Sequence, residues 1–518
     1  MKHWIRGAAL LASFATLAAC GGPASGPGGP GGPTTGITGV TVTPATGTVS
    51  VGGTLALSAS VEPADASQAV TWSTSTTAVA TVDANGVVTG VGPATVTITA
   101  TSQADSSRSA SATLEVVCTT YTALNLPTFI DTDTTVPPGC HDLAGTKRVT
   151  EDATLTFQSP SVVRAVSDTT GIRAEVGTLQ TLGTEATPIR FTASTATPGS
   201  WHGLLVYPNG VATLAHTTIE YAGNYANAFH LGNFNSGIRV QRGGTLSLDT
   251  VTIRATQAEA TRRAAGLFVE REAIVTMSGE NRFIENQGPG VAVTAAQLHM
   301  LSTEADYGAA PSANGDNVVL VNDDDTSAPP VVTGTRTWPA LNVPYRFARA
   351  AVIDGASTLV TIAPGARLAF AADAGIRVQD GAGLSAIGGS AAGDRIVFTG
   401  ATETAGDWPG FHINTTNPAN ELRFTQIEFA GQNSLSFNPV GGGGITTSVR
   451  VGDGVGEGTG GGQAASLTFV DNVVRQSAGS GIRLERSDTT ITPAVAQLAA
   501  QNDFQSATIA DDDIDDVR

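Results

Sequence analysis

Two stretches of this chain repeat each other about two hundred residues apart, and a repeat on that scale limits the fold more than any single motif does. Pro188-Ile189-Arg190-Phe191-Thr192 is followed by Trp201-His202-Gly203 and then by Thr218-Ile219-Glu220-Tyr221-Ala222-Gly223. Arg395-Ile396-Val397-Phe398-Thr399 is followed by Trp408-Pro409-Gly410 and then by Gln426-Ile427-Glu428-Phe429-Ala430-Gly431. Upstream, Gly171-Ile172-Arg173 and Leu179–Gly183 answer Gly375-Ile376-Arg377 and Leu384–Gly388. Downstream, Gly266–Arg271 answers Gly481–Arg486. The spacing between matched segments lengthens along the chain, so insertions have accumulated between them. A stack of coils absorbs insertions as loops, whereas a single globular core does not. Two tandem units are expected, residues 118–340 with an N-terminal cap and residues 341–518.

Within each unit the local pattern is β. Thr245–Thr252 alternates apolar and polar residues after Gly243-Gly244, and Ala366–Phe370 does so after Pro364-Gly365. Period-two runs bounded by turn residues are half-buried strands. Beyond the N-terminus no long stretch carries helical periodicity, so an all-β fold is predicted. Aromatic residues at 5% and charged residues at 14% suit stacked short strands rather than one large core. A net charge of −18 argues against nucleic acid as a partner, because a phosphate backbone needs basic patches.

The ends of the chain add a location. Lys2, His3 and Arg6 precede an apolar run, Gly7–Ala19, that is too short to span a bilayer and reads as an export signal over residues 1–19. Its last residues with the next, Leu17-Ala18-Ala19-Cys20, resemble a bacterial lipobox. That resemblance implies cleavage before Cys20, lipid on its thiol and amine, and a stable anchor from several acyl chains. Gly21 after the cysteine favours, by the same resemblance, the outer membrane. Residues 20–36 are a Gly/Pro-rich tether that holds the folded part away from the membrane. The expected location is therefore the cell envelope, at the outer membrane or cell surface. Cys118 and Cys140 are the remaining cysteines, and an even pair in an exported chain favours a disulfide.

Residues 37–117 carry a series of short strands separated by turns. Gly52–Leu57, Val61-Glu62-Pro63 and Val70-Thr71-Trp72-Ser73 are followed by Val79–Asp83, Gly86–Gly90 and Ala94–Ala100. In order and spacing this resembles a bacterial immunoglobulin-like domain of group 2. The resemblance implies a spacer or adhesive module without catalysis. Trp72 is expected as a buried core residue, and Asn85-Gly86 as a tight hairpin turn.

After it, Ile362–Ala366, Gly375–Val378, Leu384–Gly388 and Ile396–Thr399 follow one another in an order that resembles right-handed parallel β-helix proteins. These have the pectate-lyase-like architecture found in bacterial surface proteins. The resemblance implies about fifteen coils of roughly 24 residues, stacked near 4.8 Å apart into a rod of about 70 Å. Phe283-Ile284-Glu285-Asn286 and Phe469-Val470-Asp471-Asn472 read as a recurring turn with a stacking asparagine.

That architecture hosts polysaccharide lyases and hydrolases, but the fold does not decide the activity. The grouped aspartates, the histidine between glycines and the Arg-Ile-Lys segment of pectin hydrolases have no matching strings here, nor do the motifs of the calcium-dependent lyases. Glu220 and Glu428 are the best catalytic candidates, yet each is written at the same point of its copy, which marks scaffold; no catalytic residue is assigned. Trp201, His202 and Trp408 are possible ligand contacts, since indole rings can stack on sugars, with packed loop anchors as the other reading of the tryptophans. His202 answers Pro409, so the scaffold does not require it. Asp323-Asp324-Asp325 and Asp511, Asp512, Asp513, Asp515 and Asp516 read as a solvated loop and a frayed tail, not as calcium loops. No metal or cofactor is implied. The expected function is a lipid-anchored, non-catalytic binding or structural module for glycans or envelope components. A polysaccharide-degrading enzyme on the same scaffold stays open as the alternative. The expected partners are the membrane, through the anchor, and polysaccharide or envelope proteins.

Overall fold

A computed structural model describes residues 36–224, 234–257, 263–322, 331–432, 447–452, 464–484, 489–505 and 514–516. The signal segment, Cys20, residues 20–35 of the tether, Asp323–Asp325 and Asp511–Asp513 lie outside the described residues.

The first domain is a β-sandwich. One sheet runs in the order Thr46–Ser50, Ser109–Val117, Thr95–Ser102, Val70–Thr74. A second runs Thr54–Ala56, Val87–Gly90, Ala80–Val82, and Gly39–Thr43 pairs with Ser58–Glu62. Alternation along Thr95–Ser102 turns Val96, Ile98 and Ala100 inward, where Leu114 and Val116 meet them. Trp72 is half-buried, not the enclosed residue expected. It stands on Val70–Thr74, an edge strand, and packs against the core, with its ring 2.8 Å from where a side chain on Gly86 would begin. The turn at Asn85-Gly86 is built on Asp83, whose carboxylate accepts from the N–H groups of Asn85 and Val87, each at 2.9 Å. Cys118 and Cys140 form a disulfide, Cα to Cα 5.8 Å, that ties the end of the sandwich to the first strands of the second domain.

The second domain is a parallel β-helix, in which each coil contributes one strand to each of three faces. In the first copy the strands build sheet 1 (seven strands, Thr122–Ala123 to Arg282–Ile284), sheet 2 and sheet 3 (six strands, Thr134–Val136 to Ile274–Ser278). Among the described residues sheet 2 has fourteen strands, from Phe129–Ile130 to Asp503–Gln505, in line with the roughly fifteen coils expected. At about 4.8 Å per coil the rod is about 60 Å long. Inward side chains stack in register. On sheet 2, Ile172, Leu204, Ile238, Leu267, Val291 and Val319 lie one above another, and the row continues through Tyr345 and Leu368.

Sheet 2 runs unbroken through both copies, but the copies use it differently. In the first copy it holds the second strand of each coil: Ile189–Ala193 lies in sheet 1 and Gly203–Val206 in sheet 2. In the second copy, the matching Ile396–Gly400 lies in sheet 2 and Phe411–Asn414 in sheet 4 (seven strands, Val331–Val332 to Ile514–Asp516). The third strands form sheet 5 (six strands, Thr335–Trp338 to Thr490–Thr492). The second copy is therefore turned by one face, a third of a revolution, about the rod axis. Between the copies, a 3-10 helix, Ala295–Met300, follows the sheet 2 strand Val291–Val293 where a sheet 3 strand would be, Asp306 bridges to Arg282 of sheet 1, and Val319–Val321 completes the coil in sheet 2.

The asparagines expected to stack do so at the corner leading into sheet 2. The Asn286 amide donates to the Ile253 carbonyl at 3.2 Å and to Asn314 Oδ1 at 3.1 Å. That of Asn472 donates to the Leu422 carbonyl at 2.8 Å and to Asn502 Oδ1 at 3.2 Å.

Candidate functional site

The duplicated Trp-x-Gly corners are locks in the scaffold. Trp201 is 1% exposed and Trp408 0%, and each indole N–H donates at 2.8 Å to a main-chain carbonyl, that of Glu220 and Glu428 respectively. Trp408 stacks on Phe370 with centroids 4.3 Å apart, and Trp201 lies over Phe191 at 6.5 Å. The glycine after each tryptophan holds a positive φ, +95° at Gly203 and +86° at Gly410. A side chain there would begin 2.4 Å from the Gly237 carbonyl oxygen or 2.1 Å from that of Ser448, so neither position admits one. Trp201 and Trp408, expected with His202 as possible ligand contacts, are enclosed in the core. A buried indole needs an acceptor for its N–H, and the next coil supplies it inside the core. His202 is also buried; burial first, then the Arg173 charge, pulls its imidazole below the ordinary histidine pKa.

Glu220 and Glu428 face outward from the first strands of their coils and are engaged there. Glu220 is fully buried. One carboxylate oxygen accepts from Arg190 Nε and Thr192 Oγ1, both at 2.7 Å, and the other from Arg254 Nε at 2.9 Å. Glu428 accepts from Gln426 Nε2 at 2.7 Å and Arg475 Nε at 2.6 Å. Two guanidinium groups and a hydroxyl compensate the desolvation of Glu220.

Directly above this network lies a cleft of about 410 Å³ between the sandwich and sheet 1. The sandwich and linker contribute Thr95, Glu115 and Tyr121; the β-helix contributes Arg190, Thr192 and Tyr221. The Tyr121 ring is held by the Arg164 guanidinium, 3.6 Å from its centroid, and Arg164 is fixed in turn by Asp142 at 2.7 Å. Gly92 of the sandwich abuts Pro160 of the β-helix at the same junction. The cleft thus offers two phenol rings, hydroxyls, the Glu115 carboxylate and an arginine held by Glu220, a surface suited to a polar, ring-shaped ligand of sugar size. Its lining comes from segments far apart in the chain, which is why no local motif marked it. Among the described residues no group of three or more His, Cys, Asp and Glu side chains is placed to hold a metal ion, and no helix is long and apolar enough to cross a membrane.

The sandwich decides the relationship that can be stated. Residues 36–114 match the bacterial Ig-like domain family (group 2). This part of the chain is thus an Ig-like module of the surface or adhesion type, and the cleft uses one end of it. No curated protein matches the chain.

Proposed function

We propose that the protein is a non-catalytic module of the bacterial envelope that binds glycan or other envelope components and is held there by lipid on Cys20. The cleft between the Ig-like module and sheet 1 carries this reading, because it combines sugar-sized volume with two tyrosine rings and an arginine held by Glu220. The sequestration of Glu220 and Glu428 in hydrogen-bonded ion pairs supports binding over hydrolysis. A glycan array probed with the mature protein should show binding that falls about five- to tenfold in Tyr121→Ala, the loss of one ring contact. Release of reducing ends or unsaturated products from acidic polysaccharides, abolished by Glu220→Gln, would overturn the reading. Cys20→Ala should free the protein from membranes, and its retention there would reject the anchor.

A further inference from the structure

Sheets 3 and 5 carry outward rows of a different composition from the rest of the rod. On sheet 3 the central outward positions, in register from coil to coil, are Thr135, Thr156, Gln180, Thr213, Ser247 and Thr276. On sheet 5 they are Thr337, Thr361, Ser385, Glu421, Thr468 and Thr492. Threonine is a good strand former, and a solvent-facing β surface alone accounts for some of it. It does not account for the segregation of charge. Sheet 1 presents Arg190, Glu220 and Arg254 outward, sheet 2 Arg148 and Arg173, and sheet 4 Arg377 and Arg450. On sheet 5 the outward charges, Glu421 and Arg423, pair with each other at 2.6 Å, and on sheet 3 the outward charge is Asp249.

From these rows we infer that sheets 3 and 5 are two separate binding strips, each for one neutral polysaccharide chain, and that the rod bridges two such chains. Each hydroxyl both donates and accepts, and the coil repeat sets the hydroxyls about 4.8 Å apart over about 24 Å, a spacing comparable with the advance per ring of an extended sugar chain. Charge selects the occupant: on a chain of net charge −18, strips without free cations disfavour acidic polymers and leave neutral ones unaffected. Sheet 5 is also hollowed. A depression of about 340 Å³ is lined by Ser466, Thr468, Thr490 and Thr492 together with Pro418 and Asn420. The third-of-a-turn shift between copies decides the valency. Sheet 5 follows sheet 4 around the coil as sheet 3 follows sheet 2, so the two strips point in different directions and lie on different coils. One straight chain cannot occupy both.

The inference rests on the proposed glycan class but not on the cleft, and the test separates them. Wild type should pellet with microcrystalline cellulose or chitin and raise the light scattering of soluble hydroxyethyl cellulose. Thr156→Val with Thr213→Val on sheet 3, or Thr361→Val with Thr468→Val on sheet 5, keeps the β-branched shape and removes two hydroxyls. Each pair should weaken retention about fivefold or more, from roughly one hydrogen bond per hydroxyl, and abolish the scattering rise. All four changes together should abolish pelleting, with circular dichroism unchanged. Tyr121→Ala should lose at most the share of retention that the cleft supplies and keep the scattering rise; if it alone abolishes pelleting, the cleft is the binder and the strips are not. Absence of wild-type pelleting, valine variants that behave as wild type, bridging by a single-strip variant, or equal competition by polygalacturonate would each overturn the inference.

Discussion

Replacing His412 with leucine should destabilise the β-helix at neutral pH and stabilise it in acid. The equivalent residue of the first copy is Leu205, buried at the same point of its strand, so the scaffold accepts the substitution. His412 lies on the outward side of sheet 4, in register between Arg377 and Arg450, and its Nε2–H donates to the Gly452 carbonyl at 3.2 Å. Burial, reinforced by the Arg450 and Arg377 charges, pushes its pKa down to about 3. In the unfolded chain a histidine titrates near 6.5. As pH falls from about 6.5 toward 3, the unfolded chain takes up a proton that the folded one refuses, so the wild type loses about 1.4 kcal/mol per pH unit and roughly 3 kcal/mol by pH 4. Leucine removes the titration but leaves the Gly452 carbonyl without its donor, a pH-independent cost of about 1 kcal/mol. The variant should then be about 1 kcal/mol less stable at pH 7 and about 2 kcal/mol more stable at pH 4. Urea unfolding followed by tryptophan fluorescence at pH 7, 5.5 and 4 measures the difference. A difference that stays constant across these pH values would refute the assignment of a neutral, buried imidazole.

Two further outcomes follow from the scaffold. Trp201→Phe and Trp408→Phe each strip a buried carbonyl, of Glu220 or Glu428, of its N–H donor and should cost about 1–3 kcal/mol apiece in thermal unfolding while leaving cellulose pelleting unchanged. Cys118→Ser with Cys140→Ser opens a link across a sequence separation of 22 and should cost about 3 kcal/mol, read as a lower midpoint in urea.

The β-helix was legible because its strands are local: each alternating run carries its own inward face, and the repeat exposes which runs are equivalent. The matched Trp201 and Trp408 already pointed to scaffold, and their burial gives the physical reason, an indole N–H that must find an acceptor in the next coil. The turn of the second copy about the axis was not legible. It lies in which face the equivalent strands of each copy occupy, because the junction coil itself is a full turn, from Val291–Val293 through the 3-10 helix and the Arg282–Asp306 bridge to Val319–Val321. Matched strands cannot reveal this, because Ile189–Ala193 and Ile396–Gly400 have the same sequence character whichever face they occupy.

That blindness bears on where function can reside. A residue repeated in both copies meets the same corner geometry twice, as Glu220 and Glu428 do, and selection for the corner is enough to keep it. A property that emerges only from register is different. Thr156, Gln180 and Thr213 share no motif and stand on three coils, yet pairing sets them in one row. Tyr121 and Tyr221 stand a hundred residues apart in the chain and line one cleft. Binding surfaces on a coiled scaffold are thus assembled across coils, and the phase of the second copy sends its rows to a new side of the rod. A change that restored the original phase would keep every local motif and still realign the two hydroxyl rows. The loss of bridging with retention of single-chain binding would then be its signature.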